Sequence, residues 1–233
     1  KQDVVICFVQ LSSSYLSDII KLCNKHDVKI VIRTTGFIAS CPIEFDLVQK
    51  VDLFIHHSTS NKNNLEKLCQ HNHAIIDQAS MLEDKLLKVK NINKKNDYIF
   101  GYIGRLSKEK GIQEMLETAE NLSLKLVIAG TGELEKTILE SSKKSENIKY
   151  LGFTEYNNLD TFFKNIDVFL INSASETGPL TGLEAMCASR FIISRKVGSM
   201  PDRLSSNENI WIKNNLQSSV ESFLKLNSVQ IQN

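Results

Sequence analysis

Two glutamates, Glu176 and Glu184, flank a Gly-Pro pair in the stretch SETGPLTGLEAM, residues 175–186. Pro179 has no N–H to lose at a helix's first position, so Gly178-Pro179 reads as a helix start. The N–H groups of Leu180 and Thr181 then project from that N-terminus with the Thr181 hydroxyl beside them, a seat for a phosphate oxygen. Glu184 lies about a turn and a half into the helix, among Leu183, Ala185, Met186 and Ala188, where a carboxylate is costly to bury without a partner. A carboxylate beside a phosphate repels it, so the two glutamates read as acceptors of hydroxyl groups. Two such acceptors flanking a diphosphate seat describe a nucleotide-sugar pocket. The plainer alternative makes Glu176 a partner of the helix dipole and Glu184 an exposed helix position.

Other strand ends carry weaker signals. Arg105 follows the run YIFGYIG, and Lys110-Gly111 opens the next helix, a pairing that suits an anion clamp or a solvated loop. Gly130-Thr131-Gly132 occupies a strand-to-helix turn, but a dinucleotide fingerprint needs a third small residue where Glu135 stands. These glycines read as structural. His56-His57 and Cys69, His71 and His73 lack a convincing fourth metal ligand, so they read as strand-end or loop residues.

The elements that must hold these residues follow from periodicity. Val-, Ile- and Phe-rich runs at 3–9, 28–33, 52–57 and 73–77 alternate with helical patterns at 13–26 and 61–71, and 82–97 reads as a helix fraying into a linker. The alternation restarts with strands at 98–104, 125–130, 147–152, 166–172 and 190–194, helices at 111–121, 133–144, 155–165 and 179–188, and a closing pair at 209–213 and 218–226. This is the pattern of an α/β protein with parallel sheets and helices on both faces. The expected domains are 1–96 and 97–233. With 233 residues, 42% apolar and 24% charged, the chain can bury a large core, and its net charge of +1 offers no global field for nucleic acid. Five scattered cysteines without a C-x-x-C pair point to a reducing, cytoplasmic setting. The Lys-rich stretch 85–95 reads as a solvated face, with peripheral contact to an anionic membrane as the alternative.

GRLSKEKG (104–111), IAGTGELE (128–135), YLGF (150–153), DVFLINSASE (167–176), EAM (184–186) and VGSMPD (197–202) occur in this order, and the chain resembles the family 4 retaining glycosyltransferases of the GT-B fold, in which two Rossmann-like domains face each other. Glu176 and Glu184 have the spacing of that family's Glu-x7-Glu motif. The resemblance implies a UDP- or GDP-type nucleotide-sugar donor, a sugar or lipid-linked acceptor of polysaccharide biosynthesis, and metal-independent transfer; the sequence carries no Asp-x-Asp motif. It further implies that Arg105 and Lys110 bind the diphosphate and stabilise its departing charge. Glu176 would contact the transferred sugar, and Glu184 the ribose hydroxyls. The backbone around Phe153 would face the nucleobase, and the Leu180 and Thr181 amides the distal phosphate, with Gly104, Gly130 and Gly178 completing the donor set. KIVIRTTGF (29–37) and FIHHSTSNKNNL (54–65) resemble the acceptor side more loosely: Thr35 stands where the family places a His, Ile76-Asp77-Gln78 replaces a Pro-Asn-Gly turn, and Pro179 replaces a Gly. The expectation is therefore an intact donor half and a truncated acceptor half. A non-catalytic nucleotide-sugar-binding module and a nicotinamide-dependent oxidoreductase are the competing readings.

Overall fold

The Val-, Ile- and Phe-rich runs form nine strands among the described residues, and every pairing between them is parallel. The computed structural model describes residues 3–36, 38, 43–69, 71–92, 96–204 and 211–226. The chain divides into two units, 1–78 with 176–178, and 79–175 with 179–233.

In the first unit β1 (Val4–Val9), β2 (Lys29–Thr34), β3 (Leu53–His56) and β4 (His73–Ile75) lie in the order β1-β2-β3-β4. Three helices, α1 (Leu16–Lys25), α2 (Phe45–Val48) and α3 (Thr59–Glu66), feed one core that includes Leu16, Ile20, Ile30, Ile32, Leu47, Phe54 and Leu65. Ser58 starts α3 by accepting a bond from the Asn61 N–H at 3.2 Å.

The second unit carries β5 (Ile99–Ile103), β6 (Lys125–Ala129), β7 (Ile148–Tyr150), β8 (Val168–Ile171) and β9 (Phe191–Ser194) in the order β7-β6-β5-β8-β9. Side chains alternate across this sheet with period two. Phe100, Leu126, Ile128, Val168 and Leu170 meet α5 (Ile112–Asn121), α6 (Glu135–Lys144) and α10 (Leu216–Leu224) on one face. Ile103, Val127, Ala129, Phe169 and Ile171 meet α4 (Glu83–Leu86), α7 (Leu159–Lys164), α8 (Leu180–Cys187) and α9 (Met200–Arg203) on the other. The chain order reverses direction between β5 and β8, the switch point where open α/β sheets present their crevice.

Three sequence expectations differ from these elements. The division falls at residue 78 rather than near 96, because Leu86 and Val89 are buried among Phe162, Phe163 and Ile166. Arg190 clamps the same segment: it is 8% exposed and donates to the carbonyls of Ala188, Phe163, Ile166 and Lys90. Of the stretch 82–97, read as a helix fraying into a linker, only the single turn α4 is helical among the described residues, and 93–95 lie outside them. The strand foreseen at 209–213 reduces to a single bridge from Trp211 to Ser194, with 209 and 210 also outside the described residues. Phe37, at the end of the 29–37 motif, is outside them too.

Candidate functional site

The carboxyl ends of the second unit's strands surround a cavity of about 540 Å3. β5 runs out into Gly104-Arg105, β6 into Gly130-Thr131, β7 leads to Phe153-Thr154, and α8 contributes Leu180, Thr181 and Glu184. Gly104, Arg105, Gly130, Phe153, Leu180, Thr181 and Glu184 were all singled out from sequence. The wall also contains Ile103, Tyr156 and Leu159, which were not. Lys110, Glu176 and Gly178 do not line it. Lys110 ends a 3-10 turn (Lys108–Lys110) before α5, and Glu176–Gly178 group with the first unit.

The glycine at 130 is required by a close approach between strand ends. Its φ is +126°, and a Cβ there would sit 1.8 Å from the Gly104 carbonyl oxygen. The Gly130 N–H donates to the Gly152 carbonyl at 2.8 Å, and Tyr150 Oη donates to the Gly130 carbonyl at 2.8 Å. The structural reading of the Gly130-Thr131-Gly132 turn therefore has a geometric cause, and the same closeness lets backbone form the cavity wall.

α8 begins one residue later than expected. Pro179 is its N-cap, in extended conformation with φ −62° and ψ 107°, and Leu180 is the first helical residue. The Leu180 and Thr181 amides thus precede the first acceptor the helix supplies. Arg203 fixes the approach to this turn by donating from Nη1 to the Pro179 carbonyl at 2.7 Å.

Glu184 is 1% exposed, which removes the reading of an exposed helix position. Ser80 Oγ donates to its Oε1 at 3.2 Å. Burial pushes its carboxyl above the ordinary value, and bonds from the Tyr156 and Ser80 hydroxyls pull against that rise. Phe153 is the opposite case, 71% exposed at the cavity. Arg105 is largely exposed and pairs with Glu109 on the same loop.

A network behind that loop sets its course. Asn172 Nδ2 donates to the Gly111 carbonyl at 3.1 Å and to Glu114 Oε2 at 2.8 Å, and Arg195 bonds Asn172 Oδ1 and Glu114 Oε2, both at 2.8 Å. Burial acts to raise the Glu114 carboxyl, but Asn172, the Leu216 N–H and Arg195 together hold it below its usual value. Gly111 adopts φ +68°, and a Cβ there would meet the Asn172 carbonyl at 2.5 Å. Lys110 is thereby followed by a turn that only glycine fits.

The histidines noted from sequence form a chain in the first unit. Thr34 Oγ1 lies 3.0 Å from His56 Nδ1, and His56 Nε2 lies 3.0 Å from His73 Nδ1. Burial, then the neighbouring His73, lowers His56 to about 4. Among the described residues no three His, Cys, Asp or Glu side chains converge as a metal site, and no helix is long and apolar enough to cross a membrane.

An uncharacterized glycosyltransferase of Methanocaldococcus jannaschii, MJ1607, is 29% identical over 119 residues, covering 48% of this chain and 30% of its own length. The alpha-monoglucosyldiacylglycerol synthase of Acholeplasma laidlawii is 31% identical over 128 residues, 51% of this chain and 31% of its own. The chain thus spans about a third of the length of these relatives. The apo form of the lipopolysaccharide outer core galactosyltransferase WaaB superposes with a TM-score of 0.73 at 19% identity, over 98% of this chain and 67% of that one. This likeness establishes the GT-B type of Rossmann-like fold. The family Glycosyl transferases group 1 matches residues 83–230, well over half of the chain, and the protein belongs to that family.

Proposed function

We propose that the second unit is the donor-binding half of a retaining, metal-independent glycosyltransferase that takes a UDP- or GDP-type sugar and delivers it to a glycan or lipid-linked acceptor. The observation that carries this reading is the convergence of Gly104, Arg105, Gly130, Phe153, Leu180, Thr181 and Glu184, drawn from three strand ends and helix α8, on one cavity at the sheet's switch point. Its wall has the chemistry a nucleoside diphosphate needs. Helix amides and a guanidinium serve the phosphates, a buried carboxylate serves the ribose hydroxyls, and an exposed aromatic with its backbone serves the base. Lys110 adds an ammonium from the adjoining turn, and Glu176, three residues ahead of Pro179, contacts the transferred sugar.

Transfer places negative charge on the departing diphosphate, and fixed cations and amides that favour that charge lower the barrier without moving themselves. The acceptor class is supported by the relatives' names, one a lipid glucosyltransferase and one a lipopolysaccharide galactosyltransferase. The test is transfer from a panel of labelled nucleotide sugars. Arg105→Ala and Lys110→Ala are each expected to lower kcat by about 10²-fold or more, and Glu176→Ala to abolish transfer while calorimetric binding of UDP or GDP survives. Wild-type turnover in all three variants overturns the reading. Tight donor binding by wild-type protein with no transfer or donor hydrolysis would instead favour a non-catalytic binding module.

A further inference from the structure

Among the described residues, the buried Glu184 carboxylate has hydroxyl partners and no cation. Ser80 lies 104 residues earlier in the chain, at the turn that opens α4, and is itself 7% exposed. The Leu82 N–H donates to Ser80 Oγ at 3.1 Å, which anchors that oxygen to the backbone. A serine hydroxyl has a single proton, and here it is directed at Glu184 Oε1. Tyr156 Oη lies 3.3 Å from Ser80 Oγ, and its hydroxyl also bonds the Glu184 carboxylate. Tyr156 and Glu184 both line the cavity, whereas Ser80 stands behind it.

We infer that Ser80 and Tyr156 are positioning residues: their hydroxyls hold the Glu184 carboxylate ionised and oriented, so that its remaining lone pairs accept from the two ribose hydroxyls of a nucleoside diphosphate. This rests on the reading of the cavity as the donor site. A carboxylate offers about four acceptor positions, and two protein hydroxyls leave the others for a vicinal diol. An ion pair would satisfy the carboxylate but weaken it as an acceptor and place a cation where the sugar ring must lie. Neutral donors avoid both effects.

The arrangement also sets a pH limit. Burial raises the Glu184 carboxyl and the two hydroxyls counter it. Among titratable groups, Tyr156 bonds this carboxylate, and Cys187, one turn further along α8, has its thiol pushed up by burial first and then by the Glu83 and Glu184 carboxylates. Across the cavity Arg105 is engaged by Glu109. Removing one hydroxyl leaves burial opposed only by the other, so protonation of Glu184 on acidification begins at a higher pH.

The experiment is calorimetric binding of UDP and GDP, and of their 2′,3′-dideoxy analogues, to wild type and to Tyr156→Phe, Ser80→Ala and Ser80→Thr, with thermal melts to confirm folding. Wild type should bind the ribonucleotide and lose affinity for the dideoxy form. Tyr156→Phe and Ser80→Ala should each weaken ribonucleotide binding about tenfold, as expected for a hydrogen bond to a charged group. They should also shrink the ribo-to-dideoxy ratio and shift the acid limb of the binding profile upward, and Ser80→Thr should restore all three. Equal weakening of ribo and dideoxy forms, or an unchanged ratio and pH profile in folded variants, overturns the inference and leaves the donor site standing. Failure of folded wild-type protein to bind either nucleotide overturns the donor-site reading and this inference with it.

Discussion

The two parallel sheets are built from the same kind of strand, yet they are covered differently. In the second unit Phe100, Leu126 and Val168 face one core while Val127, Phe169 and Ile171 face another, so helices cover both sides. In the first unit Val5, Cys7, Ile30, Ile32 and Phe54 point into a single core under α1, α2 and α3. The alternate residues of β1 remain exposed, Val4 at 49%, Ile6 at 56% and Phe8 at 70%. Parallel sheets ordinarily hide both faces. A strand's composition therefore shows that it belongs in a parallel sheet, but not whether each face has been covered.

The largest effect should come from breaking the doubly covered sheet. Phe100 is fully buried on β5, the central strand of its sheet, and meets Phe223 of α10 edge-on, with ring centroids 6.2 Å apart. Phe100→Ala should cost about 3–5 kcal/mol, the usual range for an aromatic removed from a packed core. The single tryptophan, Trp211, is buried in this unit, so its fluorescence follows the second unit while far-ultraviolet dichroism follows both. Under urea the Phe100→Ala fluorescence transition should move to lower concentration and separate from the first unit's dichroism change. Coincident, unshifted transitions would contradict the assignment of Phe100 to that core.

That contrast also explains what was legible in the sequence. All nine strands coincide, to within a residue, with apolar runs recognisable by composition, because strands of parallel sheets carry Val, Ile and Phe even where, as in β1, one face is left exposed. The cavity residues were recognisable where they sit beside a punctuating residue: Arg105 after Gly104, Thr131 between two glycines, Leu180 after Pro179. Ser80 was not, since a serine in a polar stretch carries no local mark and its partner Glu184 lies 104 positions away. Tyr156 read as the interior of a helix from 155 to 165, but Tyr156–Asn158 is a 3-10 turn that rolls the phenol towards the cavity. The His56–His73 contact was hidden for a similar reason, because it depends on the parallel register that sets Phe54 opposite His73.

The next effect separates the units by pH. His56 is fully buried between Thr34 and His73 and sits at about 4, below the 6.5 of a free imidazole. Glu66 opposes this lowering, and Lys62 and His57 add to it. A histidine whose pKa is lowered by folding binds its proton more readily when unfolded, so its contribution is complete above pH 6.5 and is lost as pH falls to about 4. The loss in the first unit should be on the order of 3 kcal/mol, from the pKa-to-energy conversion, with His73, also lowered mainly by burial, acting in the same direction. In the second unit Lys164 and then Lys85 hold Asp160 at about 2, so its contribution persists above 3.8 and fades only between 3.8 and about 2. Acidification from pH 7 to 4.5 should therefore shift the dichroism transition of the first unit before Trp211 fluorescence responds, and His56→Gln should flatten that shift. Parallel movement of both probes would show that the two units do not titrate separately.

The smallest effect tests the uncovered face itself. Phe8 and Val9 are adjacent in β1, and period-two geometry sends them to opposite sides of the sheet. Val9, 5% exposed, belongs to the core, so Val9→Ala should cost about 2 kcal/mol by loss of packed methyl groups. Phe8 is 70% exposed, and Phe8→Ser should change stability by no more than about 0.5 kcal/mol, as surface substitutions do. Dichroism melts of the two variants side by side measure this difference directly. A cost at Phe8 equal to that at Val9 would mean that the outer face of β1 is packed in solution, and that the first unit is covered on both sides as the second one is.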